Sequence, residues 1–177
     1  MSSMAGGVAD HGRFMELPQW DNRSIASSSM LNPPLIATVI AAAANRYEDQ
    51  SGDSMPWELL YLVVPMALHR DTREVIPNRI NSHLPRWVER NPVLQAGLAP
   101  RARSLAPYAR EGLRFGLHSG AITLHDDATL SGQILGRLDR DGHPELTAIV
   151  GTASFLGKWF AHVGRPATVF AVLGVSP

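Results

Sequence analysis

The sequence predicts a mainly helical α+β protein in which a stack of helices is joined by a small β-sheet. Apolar residues recur at helical spacing over most of the chain after Pro34. Between Ala121 and Leu130 the apolar period shortens to two, which is typical of a β-hairpin. A further helix and a β-prone segment follow, so we expect a C-terminal helix-strand unit to close the chain.

The first two predicted helices are strongly apolar. One runs from Leu35 to about Glu48, with Asn32 as its cap and prolines in its first positions. The other spans about Pro56–Asp71 and is apolar on nearly every side, so it is either buried or part of an interface. Pro65 lies inside it and cannot donate a hydrogen bond to the carbonyl of Tyr61, so we expect a kink there.

Two helical stretches follow in the middle of the chain. A short helix is expected around Leu84–Arg90, with Ser82 as its cap and Trp87 as its apolar anchor. Pro92 opens a second stretch that continues to about His118. We expect the prolines at 100 and 107 to cut this stretch into pieces, each beginning at a proline.

The hairpin predicted over Ala121–Leu130 turns at an acidic dipeptide, and Gly132–Gly142 reads as a linker. The order of helices followed by a hairpin resembles that of winged-helix domains. The last helix is expected over Pro144–Val163. Thr168–Val172 is β-prone, and we expect it to pair with the hairpin in a three-stranded sheet.

Composition limits the classes of function. The chain has no cysteine, which excludes disulfides, thiolate nucleophiles and sulfur-ligated metal sites. The longest apolar run, Leu59–Leu68, is far short of the ~18 residues that a membrane span needs. The N-terminus lacks the pattern of a secretory signal, so we expect a cytoplasmic protein without membrane contact. We divide the chain into a flexible leader, 1–18, and one domain, 19–177.

Charge is concentrated in the middle of the chain. The formal net charge is zero, yet the stretch from Arg70 to Arg114 holds nine arginines against four acidic residues, which gives it +5. Spacings of three or four residues place arginines in pairs on common helix faces: Arg70 with Arg73, Arg86 with Arg90, and Arg110 with Arg114. Either these are solvated faces with local ion pairs, or they bind an anionic partner.

The last predicted helix carries an aromatic cluster. Phe155 and Trp159 form one stripe, and Leu156 and Phe160 belong to a second, so most of the helix surface is apolar. Burial in the core explains this pattern, and so does a protein interface, whose centre favours aromatic residues. Lys158 lies among these aromatic residues, and we expect its aliphatic stem to cover apolar neighbours.

A search for catalytic chemistry finds little. The densest group of potential metal ligands is His118, His125, Asp126, Asp127 and His143, but no helical His pair is present, and the two aspartates fall where a turn favours them. Gly-x-Ser-x-Gly and phosphate-binding P-loop motifs are missing. We therefore predict no catalytic residues, no metal and no cofactor.

The order of several landmarks resembles a known family. They are Trp20 and Arg23, Leu31-Asn32-Pro33, Leu62-Val63-Val64-Pro65, Leu68-His69-Arg70-Asp71-Thr72-Arg73, Ile76-Pro77, Trp87, Asn91-Pro92, Arg110-Glu111 with Phe115-Gly116, Phe155 through Ala161, and Leu173 through Pro177. In this order the chain resembles the middle component of the prokaryotic ABC three-component systems. That family favours arginine where this chain has Lys158, a departure that keeps the charge.

The resemblance implies a non-catalytic adaptor subunit. Its partners would be an SMC-like ABC ATPase and a third, effector or sensor protein, in a system directed against phage or other invading DNA. DNA itself would be touched only indirectly or weakly. The candidate partner interface comprises Arg70, Arg73, Trp87, Phe155, Lys158, Trp159 and Phe160, with Arg86, Arg90, Arg110 and Arg114 as candidate contacts to an anionic partner. The alternative function is that of a winged-helix-like DNA-binding protein.

Overall fold

A computed structural model of the chain describes residues 31–134 and 142–176, together with Leu17 and Asn22. The leader 1–18 (apart from Leu17), Trp20 and Arg23, and most of the linker 132–142 therefore lie outside the described residues. The fold is mostly helical, with a small antiparallel sheet, so the predicted α+β class is confirmed. In chain order the elements are α1 Pro33–Ser51, β1 Met55–Pro56, a 3₁₀ turn Trp57–Leu59, α2 Leu60–Leu68, α3 Arg70–Val75, α4 Leu84–Arg90, α5 Pro92–Ser119, β2 Ile122–Leu124, β3 Thr129–Gly132, α6 Pro144–Val163 and α7 Pro166–Leu173.

Helix α1 forms the centre of the core. Asn32 caps it as predicted, because its Oδ1 accepts a hydrogen bond from the backbone N–H of Leu35 at 2.7 Å. Helix α6 packs along one side of α1 and α5 along another. Both contacts depend on glycine: a Cβ at Gly157 would collide with the carbonyl oxygen of Ala43, and one at Gly112 would collide with the side chain of Ile36. The three helices therefore approach each other closely around α1.

The strongly apolar second helix is buried in the core. It is shorter than predicted, because the backbone becomes extended at His69, with φ −85° and ψ 115°, and α3 begins directly afterwards. The Nδ1 of His69 accepts the N–H of Thr72 at 3.3 Å and so caps α3. The helix runs through Pro65, and the kink expected there stays a prediction.

The middle of the chain confirms one helix and corrects another. Helix α4 has the predicted bounds, although His83 and not Ser82 occupies the cap position. The stretch after Pro92 is one helix of 28 residues and is not cut at the prolines at 100 and 107. Pro100 and the residue whose carbonyl it leaves unpaired, Ala96, are both exposed, so water can satisfy that oxygen.

The predicted hairpin is confirmed, but the predicted C-terminal strand is wrong. Strands β2 and β3 pair antiparallel, and β1 joins the other edge of β3 to give the order β1-β3-β2. The segment expected as a strand forms α7 instead. Pro166 lies in the first turn of α7, and Gly174 ends it with φ 69°. These start and stop signals and the packing of Phe170 override the β propensity of Thr168–Val172.

Within the described ranges, no helix is both long enough and apolar enough to cross a lipid bilayer.

Candidate interaction surface

Trp159 and Phe160, two residues of the predicted interface, belong to the core. Both side chains are fully buried. Trp159 meets Trp87 edge-to-face at a centroid distance of 5.9 Å, and its indole N–H donates to the carbonyl of Ser82 at 2.7 Å. Trp87 is itself buried, and its N–H donates to the carbonyl of Val75 at 2.9 Å. The contact between Trp87 and Trp159 therefore links α4 to α6. A partner could reach Trp159 and Phe160 only if the core opened.

Phe155 and Lys158 lie at the edge of that cluster. Both side chains are half-buried, and the ring of Phe155 lies 5.5 Å from the ring of Trp159. They therefore remain partly accessible to a partner.

The predicted pair Arg70 and Arg73 separates into two different environments. The side chain of Arg70 is 78% exposed and pairs with Glu74 at 3.0 Å within α3. The side chain of Arg73 is only 7% exposed. Its guanidinium donates to the carbonyl of Ala67 at 2.9 Å and forms an ion pair with Glu145 at the start of α6. Arg73 therefore connects the α2–α3 corner to α6 and has a structural role.

The other predicted arginines are exposed on two separate helices. Arg86 and Arg90 lie on α4, whereas Arg110 and Arg114 lie on α5. Arg103 is also exposed on α5, seven residues before Arg110. At 100° per residue these three α5 arginines fall within about 40° of arc on the side turned away from the core. We call Arg103, Arg110 and Arg114 the arginine stripe.

A pocket of about 250 Å³ opens beside the arginine stripe. It lies between the 3₁₀ turn and start of α2, the middle of α5, and the end of the chain. Its apolar lining is Trp57, Tyr61, Ala99, Ala102, Ala106, Phe170 and Val175, and its polar lining is Glu58, Arg103, Arg110 and Ser176. The pocket and the stripe share two arginines, so they form one continuous surface.

Aromatic side chains and the stripe meet at one wall of this pocket. Trp57 is 40% exposed, and its ring meets Tyr61 edge-to-face at 5.8 Å. The Nε of Arg110 donates to the hydroxyl of Tyr61 at 3.3 Å. Arg103 and Arg114 have no acidic group within ion-pair distance in the part of the chain that the structure describes. Exposed aromatic groups next to arginines without carboxylate partners are typical of interface centres.

The predicted group of potential metal ligands does not come together. In the described ranges, no three His, Asp or Glu side chains are close enough to hold a metal ion. The Nε2 of His125 instead lies 2.9 Å from the hydroxyl of Ser131 across the hairpin. Asp127 accepts hydrogen bonds from the hydroxyl and N–H of Thr129, and the hydroxyl bond is the main reason that the pKa of Asp127 lies below its ordinary value. These groups shape the hairpin turn.

A second charged cluster surrounds the start of α3. Burial lowers the pKa of His69, and the nearby charge of Arg101 lowers it further. Burial also lowers the pKa of Arg101, and the nearby charge of Asp71 partly opposes this shift. One terminal nitrogen of Arg101 is buried and has no hydrogen-bond partner among the described residues. Neutral His69 is the form that can accept the N–H of Thr72, so this environment favours the capped helix.

Sequence reasoning did not single out Trp57, Tyr61 or Arg103. Two spacings carry the signal: Trp57 and Tyr61 are four residues apart, and the stripe arginines are separated by seven and then four residues. Both patterns place side chains on one helix face. The pocket itself depends on three segments that are far apart in the chain, so spacing within one helix could not reveal it.

Comparison with known proteins gives one family. The model of the family described as ABC-three component (ABC-3C) system Middle Component 3 matches residues 20–177, which include every helix and strand described above. No curated protein and no solved structure gives a significant match. Because the family match covers nearly the whole sequence, the chain belongs to the Middle Component 3 family of ABC-3C systems.

Proposed function

We propose that this chain is a non-catalytic adaptor that links the SMC-like ABC ATPase of an ABC-3C system to a third, effector or sensor component. The system would act in prokaryotic cells against phage or other invading DNA. Membership of a middle-component family supports a role between other components. A cytoplasmic location is part of the proposal, because an ATPase that acts against invading DNA works where that DNA is found.

The observation that carries the proposal is the surface made by the pocket and the arginine stripe. Trp57 is one of the largest side chains of the protein, lines the pocket and is 40% exposed, whereas Trp87 and Trp159 are buried. Aromatic and arginine side chains around a concave, apolar centre contribute most of the binding energy at many protein interfaces. This surface therefore suits contact with another component.

Co-purification with the ATPase component of the same system tests the proposal. We expect the wild-type chain to bind the purified ATPase and Trp57→Ala to weaken the complex, because the pocket loses its aromatic wall. Val93→Ala is the matched control, since Val93 is 83% exposed on α5 and does not line the pocket. If the wild-type chain did not bind the ATPase, the adaptor role would be refuted.

The winged-helix-like DNA-binding function is the second candidate, and the arginine stripe is the observation in its favour. The hairpin, however, presents Asp126 and Asp127 at its exposed turn, and these carboxylates would repel DNA phosphates. DNA binding by the chain alone predicts a gel shift of duplex DNA that weakens steeply with salt. No shift at low salt would remove this candidate.

A further inference from the structure

We infer that the surface made by the pocket and the arginine stripe binds an acidic, amphipathic helix of the ATPase component. This inference rests on the proposed function and adds the chemistry and shape of the segment that is recognised. It depends on three features of the described residues: the straight line of the stripe, its unpaired positive charge, and the apolar pocket at its side.

The geometry of the stripe selects a helix as the partner. Arg103 and Arg114 are eleven residues apart on one helix, which corresponds to about 16 Å along its axis. A helix lying along α5 would meet the stripe if it carried acidic residues at the same spacings of seven and four. Such a helix keeps its backbone hydrogen bonds internal, so only side chains need to match.

The positive charge of the stripe predicts a negatively charged partner. The stripe presents three guanidinium groups. Among the described residues, only Arg110 has a hydrogen-bond partner at the pocket, the uncharged hydroxyl of Tyr61. Glu58 also lines the pocket, but it lies on the 3₁₀ turn and not on α5, so the positive charge remains concentrated along α5. Carboxylates are the groups that pair with arginine in bidentate geometry.

The pocket explains why the partner helix should also be amphipathic. A volume of about 250 Å³ accommodates one or two large apolar side chains, and Trp57, Tyr61 and Phe170 are the aromatic residues that line it. Apolar residues on the flank of an acidic helix would enter the pocket while its carboxylates reach the stripe. Charge would then set orientation and association rate, and the pocket would supply the apolar anchor.

A charge-reversal experiment tests the inference with the full chain and the purified ATPase component. The variant Arg103→Glu/Arg110→Glu/Arg114→Glu should bind at least about tenfold more weakly than wild type, because attraction along the stripe becomes repulsion. The matched control is Arg46→Glu/Arg79→Glu/Arg165→Glu, which reverses three exposed arginines that neither line the pocket nor belong to the stripe. It should bind within about threefold of wild type. Replacing the stripe by glutamines gives a milder variant, and thermal melts establish that each variant folds.

The outcomes separate this inference from the adaptor role. If wild type binds the ATPase and the stripe variant binds equally well, the acidic-helix inference is overturned while the adaptor role stands. Equal weakening of the stripe variant and the control would show unspecific charge attraction and would also overturn it. If wild type binds no ATPase, both proposals fail. Stripe-dependent retention of duplex DNA at physiological salt, in preference to the ATPase, would identify a nucleic-acid surface instead.

Photocrosslinking identifies the segment that is bound. A benzoylphenylalanine placed at Ala106, which lines the pocket, should crosslink to a helical ATPase segment with acidic residues at spacings of seven and four. Replacing those acidic residues by lysine should restore binding to the stripe variant. A crosslinked segment without acidic residues, or failure of the lysine exchange to restore any binding, would contradict the inference.

Discussion

Replacement of Gly157 by alanine should destabilise the protein, although alanine favours helix formation. Helix propensity alone predicts a gain of about 1 kcal/mol. The added methyl group, however, would collide with the backbone carbonyl of Ala43 on α1, which no change of rotamer can move aside. Overpacking usually costs about 1–3 kcal/mol. We place this clash at the upper end or beyond, at about 3 kcal/mol, which leaves a net loss of about 2 kcal/mol or more.

Gly151→Ala is the matched control on the same helix. A Cβ at Gly151 meets no atom within 4 Å, so only the gain in helix propensity remains. Thermal melts should show Gly157→Ala lowered by about 4–8 °C and Gly151→Ala unchanged or raised by about 2–4 °C. Urea titrations should show the same order in midpoint, with similar slopes. If Gly157→Ala melted at or above the wild-type temperature, the close packing of α6 on α1 would be refuted.

Three further predictions concern residues near the corner of α2 and α3 and the adjoining core. Trp159→Ala should destabilise the fold by about 3–5 kcal/mol in urea titrations, because it empties a buried site and removes the hydrogen bond to the carbonyl of Ser82. A loss of stability under about 1 kcal/mol would contradict the burial of Trp159. Arg73→Ala should cost about 2 kcal/mol and Arg70→Ala less than about 0.5 kcal/mol; equal effects would refute the different roles of these arginines. The pKa of His69 is lower in the folded than in the unfolded chain, so stability should be complete above about pH 6.5 and fall as pH drops towards the folded pKa. His69→Asn keeps a side-chain acceptor at the cap but removes the titrating group. It should therefore reduce the decline in the free energy of unfolding between about pH 7.5 and pH 5.5. An unchanged pH dependence would exclude His69 as its source.

The sequence predicts much of this fold because the strongest helices have both periodic apolar residues and recognisable start and stop residues. Helix α1 has an asparagine cap, prolines at its start and Gly52 at its end, so local and tertiary preferences agree. The hairpin is visible because its apolar period changes. The third strand is not visible, since β1 contains only Met55 and Pro56 and two residues cannot show an alternation.

Errors arose where local propensity competes with packing. Thr168–Val172 has β-branched residues, but the burial of Val169 and Phe170 against the core is achieved on a helix that Pro166 starts. Helix α5 continues past two prolines because its buried face packs against α1 and α2, which offsets the lost hydrogen bonds.

The candidate surface could be predicted only in part. The charged middle of the chain drew attention to Arg110 and Arg114, which are exposed on one face of α5. It also drew attention to Arg73, whose ion pair with Glu145 joins two helices and could not be inferred from spacing. Whether an aromatic residue is core or surface depends on the packing of distant segments. For this reason the sequence pattern placed Trp159 in a candidate interface although it is buried, and it did not indicate Trp57, which is exposed.

The most direct test of the adaptor role is to measure whether this chain bridges the other two components. The ATPase and the third component of the same ABC-3C system would be purified separately and mixed with and without the chain, and complexes would be sized by light scattering. The adaptor role predicts one complex containing all three proteins, formed only when the chain is present and weakened by Trp57→Ala. An ATPase that bound the third component equally well without this chain would contradict it.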